Sequence, residues 1–380
     1  MRVIVAMDSF KGSLSSLEAG EAVKEGILKA CPTAEVETHN MADGGEGTAE
    51  TIIRAKHGLW ESCKVHDPLG RTVEARYGVL PFRNVAVIES AQAIGLCLLR
   101  ENERNPMETS SFGLGEMIVD AMEKGYRKIL ITLGGSATND GGVGMLRALG
   151  YEFLDKQGNP IPNGAAGLRL LAKIKTRGKN PLLSECRFSV ACDVKNPLCG
   201  KLGCSYVFAP QKGAKPEELP LMDAWIADYA AKSEHTLRKS FFETEGSGAA
   251  GGLGFAFGCY LKAKLCKGAA LVMQYTDLEE KIKNADFLVT GEGSFDDQSC
   301  MGKAPFEAAK LAKRHGKTVV ILAGSVSYTE FVNKDKIDGI FPIVSSPCSL
   351  EEAMDKEMTC RNLKRTAEQI FHLITSVQGK

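Results

Sequence analysis

A chain of 380 residues is long for one hydrophobic core, so two domains, or one domain with a large insertion, is the default. Its 44% apolar and 25% charged residues describe a folded α/β protein and exclude a disordered one. The 47 Lys and Arg balance 47 Asp and Glu, which leaves no net field to hold a nucleic-acid backbone or an anionic membrane surface.

The opening MRVIVAMDSF passes straight into a strand-like run, with no apolar leader and no cleavage site, which predicts no secretory signal. Arg2 to Met7 predicts a strand closed by Asp8, and Ser15-Ser16-Leu17-Glu18 a capping box that starts a helix to about Lys29. Val36 to Met41 predicts a second strand, followed by a glycine-dense loop and a helix to about Lys56. This βαβα order argues for a parallel sheet. From Trp60 the pattern changes, and Asp67-Pro68-Leu69-Gly70 separates two alternating runs that read as a hairpin. Further strands are predicted at Val85 to Glu89, Lys128 to Leu133 and Phe188 to Cys192, in a region of mixed character. Alternation of strand and helix resumes near Asp286 with DFLVTG, then TVVILAGS, GIFPIV and a closing helix from Leu350.

Both chain ends together supply five βα units, enough for a flavodoxin-like sheet. The expectation is therefore a discontinuous α/β domain, 1–60 and 286–380, with a mixed α/β domain, 61–285, inserted into it. No stretch of about 18 apolar residues offers a membrane span, and the 12 Cys lack paired C-x-x-C spacing, so most are expected to be buried thiols in a reducing cytoplasm.

Glycine concentrates after apolar strands, in loops that also carry Asp, Ser, Thr or Asn. In parallel α/β sheets such loops meet at the ligand crevice, where glycine lets backbone N–H groups approach phosphates. Asp8-Ser9-Phe10-Lys11-Gly12-Ser13 places a carboxylate, a cation and a hydroxyl before a helix, as a phosphate seat or as a capped turn. Asp43, followed by Gly44 and Gly45, is a second strand-end carboxylate; with Asp8 it could hold Mg²⁺, or it could cap a helix. Gly134-Gly135-Ser136-Ala137-Thr138-Asn139-Asp140-Gly141-Gly142 has more glycine than a turn needs and suggests close ligand approach. Asp193, beside Lys195 and Asn196, is positioned to accept a hydroxyl proton or to serve a turn.

Gly246 to Gly251 is a literal G-x-G-x-x-G, but the upstream HTLRKSFFETE reads as a charged helix where a dinucleotide fingerprint needs a strand. It is therefore a phosphate or adenine loop, or a helix-packing device. Lys303, at a helix start after the TGEGSFDD loop, suits an anion, although the Walker A pattern is absent. The six His form no metal-ligand spacing or triad.

Taken in order, DSFKGSLSS, MADGGEGT, HDPLGR, LGGSATNDGG, CDVKNPLCG, GSGAAGGLG and TGEGSFDDQSCMGKAP resemble the bacterial glycerate kinases over essentially the whole chain. The resemblance implies ATP-dependent, Mg²⁺-requiring phosphorylation of D-glycerate, usually to 2-phosphoglycerate, during glyoxylate or sugar-acid use. It also implies a flavodoxin-like domain carrying an inserted α/β domain, with the substrates held in the cleft between them, in a monomer or homodimer. On the matched positions it makes Asp8, Lys11, Asp43, Asp193 and Lys303 candidates for metal, phosphate and base work. Gly134, Gly135, Ser136, Asn139, Gly248 and Gly251 become candidate nucleotide contacts, and Gly44 and Gly45 candidate substrate contacts beside Asp43. Arg71 becomes a candidate fork for the glycerate carboxylate, or else a surface-turn arginine.

Two rival readings make different demands. A dinucleotide oxidoreductase needs an acidic residue closing a second strand after Gly251, and GFAFGCYLKAKLCKG does not clearly supply one. A sensor that binds nucleotide or sugar acid without turnover, or a kinase of a related hydroxy acid, would carry the same loops.

Overall fold

Strand β1 (Arg2–Met7) is buried on both faces from Val3 onward, as the centre of a parallel sheet requires. The structure, a computed structural model, describes residues 1–45, 47–300, 302–327 and 337–378. After β1 come β2 (Glu35–Thr38), the hairpin strands β3 (Leu59–His66) and β4 (Thr72–Leu80), then β5 (Val85–Glu89) and β6 (Lys128–Thr132). There follow β7 (Glu152–Leu154), β8 (Lys173–Lys175), β9 (Arg187–Ala191) and β10 (Lys264–Cys266), and finally β11 (Phe287–Phe295), β12 (Thr318–Val326) and β13 (Gly339–Pro342). Met1–Asp43 and Ala269–Lys380 form one unit, and Gly44–Gly268 a second.

In the first unit the strand order is β13-β12-β11-β1-β2, with every pair parallel. Counted within this unit, that is the flavodoxin order, whose switch point lies between the first and third strands, here β1 and β11. The predicted capping box is present: Ser15 Oγ accepts the Glu18 N–H at 3.3 Å and Glu18 accepts the Ser15 N–H at 2.9 Å, which starts the helix Ser16–Ala30. Alternation along β1 serves both faces. Val3, Val5 and Met7 pack with Val23 and Ile27 of that helix and with Leu363 and Phe371 of the helix Lys356–Gln378. Ile4 and Ala6 pack with Ile282 and with Phe306 of the helix Ala304–Arg314.

In the second unit β10, β9, β6 and β5 run parallel, while β4 and β3 extend the sheet as an antiparallel hairpin. The Asp67-Pro68-Leu69-Gly70 turn closes that hairpin, with Asp67 Oδ1 accepting the N–H groups of Leu69 and Arg71 at 2.9 Å each. β7 and β8 form a separate ribbon. The flavodoxin-like sheet and the mixed sheet are as expected from the sequence.

The chain changes unit at 43/44 and 268/269, where the sequence suggested 60/61 and 285/286. Packing explains both shifts. The helix Thr48–Lys56 turns Ile53 onto β4, where a Cβ at Gly78 would lie 2.3 Å from Ile53 Cγ1. The segment after Gly268 buries Ala269, Met273, Leu278 and Ile282 with Met41 and Ile4 of the first unit. A third correction concerns 235–245, expected as a helix: the helix Leu219–Leu237 ends there, and Arg238 turns left-handed at φ 53°. Glu234 Oε1 then accepts the Phe241 and Phe242 N–H groups, which fixes a turn. Of the 12 cysteines, only Cys204 and Cys259 are fully buried, fewer than expected. Among the described residues no helix is long and apolar enough to cross a membrane.

Candidate active site

The first unit gathers charge at its switch point. β1 pairs with β11 so that Met7 faces Gly291, and the Asp8 N–H donates to Gly291 O at 2.8 Å. The next residue of each strand is therefore acidic: Asp8 and Glu292 sit together at the carboxyl edge of the sheet. Burial pushes the Asp8 carboxyl up to about 6; its hydrogen bond from the Ser9 N–H opposes this, Asp43 and Glu292 add to it, and Lys11 relieves it. Glu292 is buried, and its Oε2 accepts from Lys303 Nζ at 2.9 Å. That carboxylate holds the Lys303 ammonium above its usual range against partial burial, with Asp296 and Asp8 contributing. Lys303 also holds the N-cap position of the helix Ala304–Arg314. Lys11 is exposed beside this group.

Glu292 Oε1 is buried with no hydrogen-bond partner. An oxygen without a donor, beside a carboxyl that burial and like charge keep from ionising freely, fits a hard divalent cation. Among the described residues no three His, Cys, Asp or Glu side chains are grouped to cage an ion by themselves. Mg²⁺ does not ask for that, since it takes one or two carboxylates and completes its shell with water and phosphate oxygens. The residues present fit it.

The second unit has its own strand-end cluster. β5 ends in Glu89, which accepts the Ala49 N–H at 2.9 Å, followed by the buried Ser90. β6 runs into Gly134, whose carbonyl accepts from Ser90 Oγ at 3.3 Å. Gly135 O accepts the Leu96 N–H and Ile94 O the Ala137 N–H, both at 2.8 Å, so the loop is zipped to its neighbour. Gly135 is left-handed at φ 64° and exposed, whereas Ser136 and Asn139 are buried. Asn139 Nδ2 donates to Ser205 Oγ at 3.0 Å, and Asn139 Oδ1 is buried without a partner. Asp140 accepts from Ser111 N and Oγ, Gly142 N and Gly144 N at 2.8 to 3.0 Å, which ties two helix starts together.

The remaining candidates divide. Asp193 lies beside Gly44: Asp193 Oδ1 accepts the Gly268 N–H at 2.9 Å, and a Cβ on Gly44 would lie 3.2 Å from Asp193 Oδ2. Gly248 and Gly251 are buried, and a Cβ there would lie 2.2 Å from Pro197 O and 2.1 Å from Thr138 O respectively. These close approaches brace the Thr138–Gly141 segment, where Gly251 O also accepts the Gly141 N–H at 3.0 Å. Arg71 donates Nε to Asp67 at 2.5 Å, Nη1 to Glu103 at 2.9 Å and Nη2 to Leu98 O at 3.3 Å, so its fork is engaged by the hairpin turn and by the segment 98–103.

Two residues that the sequence did not single out belong to these clusters. Glu292 had a signal, an acidic residue between two glycines at a strand end. Lys212 had none: it lies in a turn, in APQKGAKP, yet it is buried and donates to Ser136 Oγ at 3.1 Å and Thr138 O at 2.7 Å.

Known proteins agree over the full length. The glycerate kinase family model matches residues 3–375. A glycerate kinase of Halalkalibacterium halodurans is 42% identical over 367 residues, covering 95% of this chain and 97% of that protein. The glycerate 2-kinase of Escherichia coli is 40% identical over 354 residues, 93% of each. A crystal structure assigned to a glycerate kinase 2 of Salmonella typhimurium superposes with a TM-score of 0.88 at 39% identity, covering 100% of both chains. The resemblance carried by the strand-end loops thus extends through the whole sequence and fold, and the chain belongs to the glycerate kinase family.

Proposed function

We propose that this protein transfers the γ-phosphoryl group of ATP to D-glycerate, giving 2-phosphoglycerate and ADP. The observation that carries the reading is the full-length match to glycerate kinases, the Escherichia coli glycerate 2-kinase among them, which also favours the 2-position over the 3-position.

Phosphoryl transfer asks a protein mainly to position the reactants and to neutralise charge on the transferring oxygens. Lys303, held charged by Glu292, and the exposed Lys11 are the cations the first unit offers to phosphate oxygens. Asp8 and Asp43, with Glu292 behind them, would hold Mg²⁺, which when bound offsets phosphate charge. In the second unit the Gly134–Ser136 loop is the nucleotide-phosphate contact. Asp193 is the base that takes the acceptor hydroxyl proton, oriented by its bond from the Gly268 N–H. Gly44, packed against Asp193, lets backbone approach there. The engaged fork of Arg71 favours turn stabilisation over substrate binding.

The test is ADP release with Mg-ATP and D-glycerate, against L-glycerate, glycerol and no-acceptor controls, with the product read by phosphorus NMR. Turnover confined to D-glycerate with a 2-phosphate product is expected. Turnover with a different hydroxy acid alone refutes the substrate, a 3-phosphate product refutes the position, and ATP binding without any turnover leaves a sensor.

A further inference from the structure

Lys212 is a charge that the mechanism above does not use. Its side chain is 2% exposed, and both hydrogen-bond partners of its ammonium, Ser136 Oγ and Thr138 O, are neutral oxygens. Asp140 attracts it, but that carboxylate already accepts from Ser111, Gly142 and Gly144. Burial accordingly pushes the amine down to about 8. An ammonium has three N–H donors, and removing such a charge from water without an anion costs several kcal/mol. The same loop holds two more unsatisfied groups, Thr138 Oγ1 and Asn139 Oδ1, both buried without partners. Buried polar groups left this way in a native protein call for a ligand, a water or a function.

The hydrogen bond to Ser136 has a direction. Lys212 can only donate, so Ser136 Oγ accepts, and the serine hydroxyl keeps its own proton to give to another acceptor. The acceptor that suits an N–H- and O–H-bearing loop with a cation behind it, in a medium of low dielectric, is an anionic oxygen.

We propose that Lys212 is a positioning residue for the phosphate chain of the nucleotide: through Ser136 and Thr138 it holds the Gly134–Asn139 loop in shape and gives that loop the positive charge that seats a phosphate group. This rests on the kinase reading for the identity of the ligand, but not for its charge.

The experiment compares the full-length wild type with Lys212→Met, which removes both charge and donors, and Lys212→Gln, which keeps donors without charge. Calorimetric titration with inorganic tripolyphosphate reads the anion seat without turnover, and steady-state kinetics with ATP and D-glycerate reads the reaction. Both variants are expected to bind tripolyphosphate at least about tenfold more weakly and to raise the KM for ATP by a similar factor, with the KM for D-glycerate moving less than about threefold. Lower melting temperatures with tripolyphosphate affinity and ATP KM within about twofold of wild type would make Lys212 a structural lysine and overturn the proposal, as would a wild type that does not bind tripolyphosphate. Loss of tripolyphosphate binding in the variants of a wild type that binds it but does not phosphorylate D-glycerate would sustain the seat and sink the kinase reading instead. Should neither variant fold, a crystal structure of the wild type with a non-hydrolysable ATP analogue decides. A phosphate oxygen within about 3 Å of Ser136 Oγ or a loop N–H supports the proposal, and phosphates held elsewhere refute it.

Discussion

Replacing Lys212 by Met should change how the stability of the second unit depends on pH. The amine is lowered from 10.5 to about 8 in the folded protein, with burial the leading cause and Cys204 and Asp140 opposing it. Between those values the unfolded chain binds a proton that the folded chain does not, so stability rises with pH through this window. At pH 7.5 nearly the whole cost of burying the ammonium is present, about 3 kcal/mol; by pH 10 about 2 kcal/mol of it is relieved. Lys212→Met has no such term. It gives up hydrogen bonds to Ser136 Oγ and Thr138 O, a loss of about 1 to 3 kcal/mol where a buried acceptor is left alone, against relief of the buried charge. The variant should therefore lie close to wild type at pH 7.5 and fall about 2 kcal/mol behind it at pH 10.

The protein carries its own probe for this. Its two tryptophans, Trp60 and Trp225, both lie within Gly44–Gly268, so tryptophan fluorescence during urea unfolding follows that unit alone. A difference of about 2 kcal/mol corresponds to a midpoint separation of about 1 M urea. Taking wild type minus variant at each pH largely cancels the cysteines and tyrosines that titrate in the same range. Parallel pH profiles for the two proteins, or a gap that closes on going to pH 10, would refute the buried-ammonium reasoning.

Asp8→Asn should abolish activity and yet stabilise the metal-free protein. It removes a charge buried against Asp43 and Glu292, worth about 2 kcal/mol at neutral pH, and should lower turnover at least about a hundredfold; a lower melting temperature with turnover intact contradicts this. Gly251→Ala puts a methyl 2.1 Å from Thr138 O at φ 71°, so urea unfolding should register a loss of about 3 kcal/mol or more, and a loss under about 0.5 would be inconsistent with that packing. Arg71→Ala strips the guanidinium from the buried Asp67 and should lower the melting temperature while leaving the KM for D-glycerate within about threefold. A tenfold higher KM at unchanged melting temperature would instead return Arg71 to the substrate carboxylate.

What could be read from the residues follows from the range of the interactions involved. β1, β11 and β12 were legible because a parallel strand buried on both faces must be a continuous apolar run, and the β3–β4 turn because Asp67 caps it within four residues. Asp8, at the end of such a run, inherited its place from the strand. The unit boundaries were not legible, since the amphipathic helix Thr48–Lys56 buries the same kind of face whichever sheet receives it. Lys212 is the extreme case: its hydrogen bond to Thr138 O spans 74 residues of sequence, and no local pattern marks a lysine that will be buried. The glycines at 246–254 left two roles open for another reason. A missing Cβ lets a phosphate approach backbone and equally lets backbone approach backbone, so composition alone cannot separate a ligand loop from a packing seam. The structure shows what lies on the Cβ side: at Gly248 and Gly251 the space a side chain would need is already filled by Pro197 O and Thr138 O. A glycine count after a strand therefore marks where the chain must pass closely, and only the identity of what lies against it decides whether that closeness serves binding or assembly.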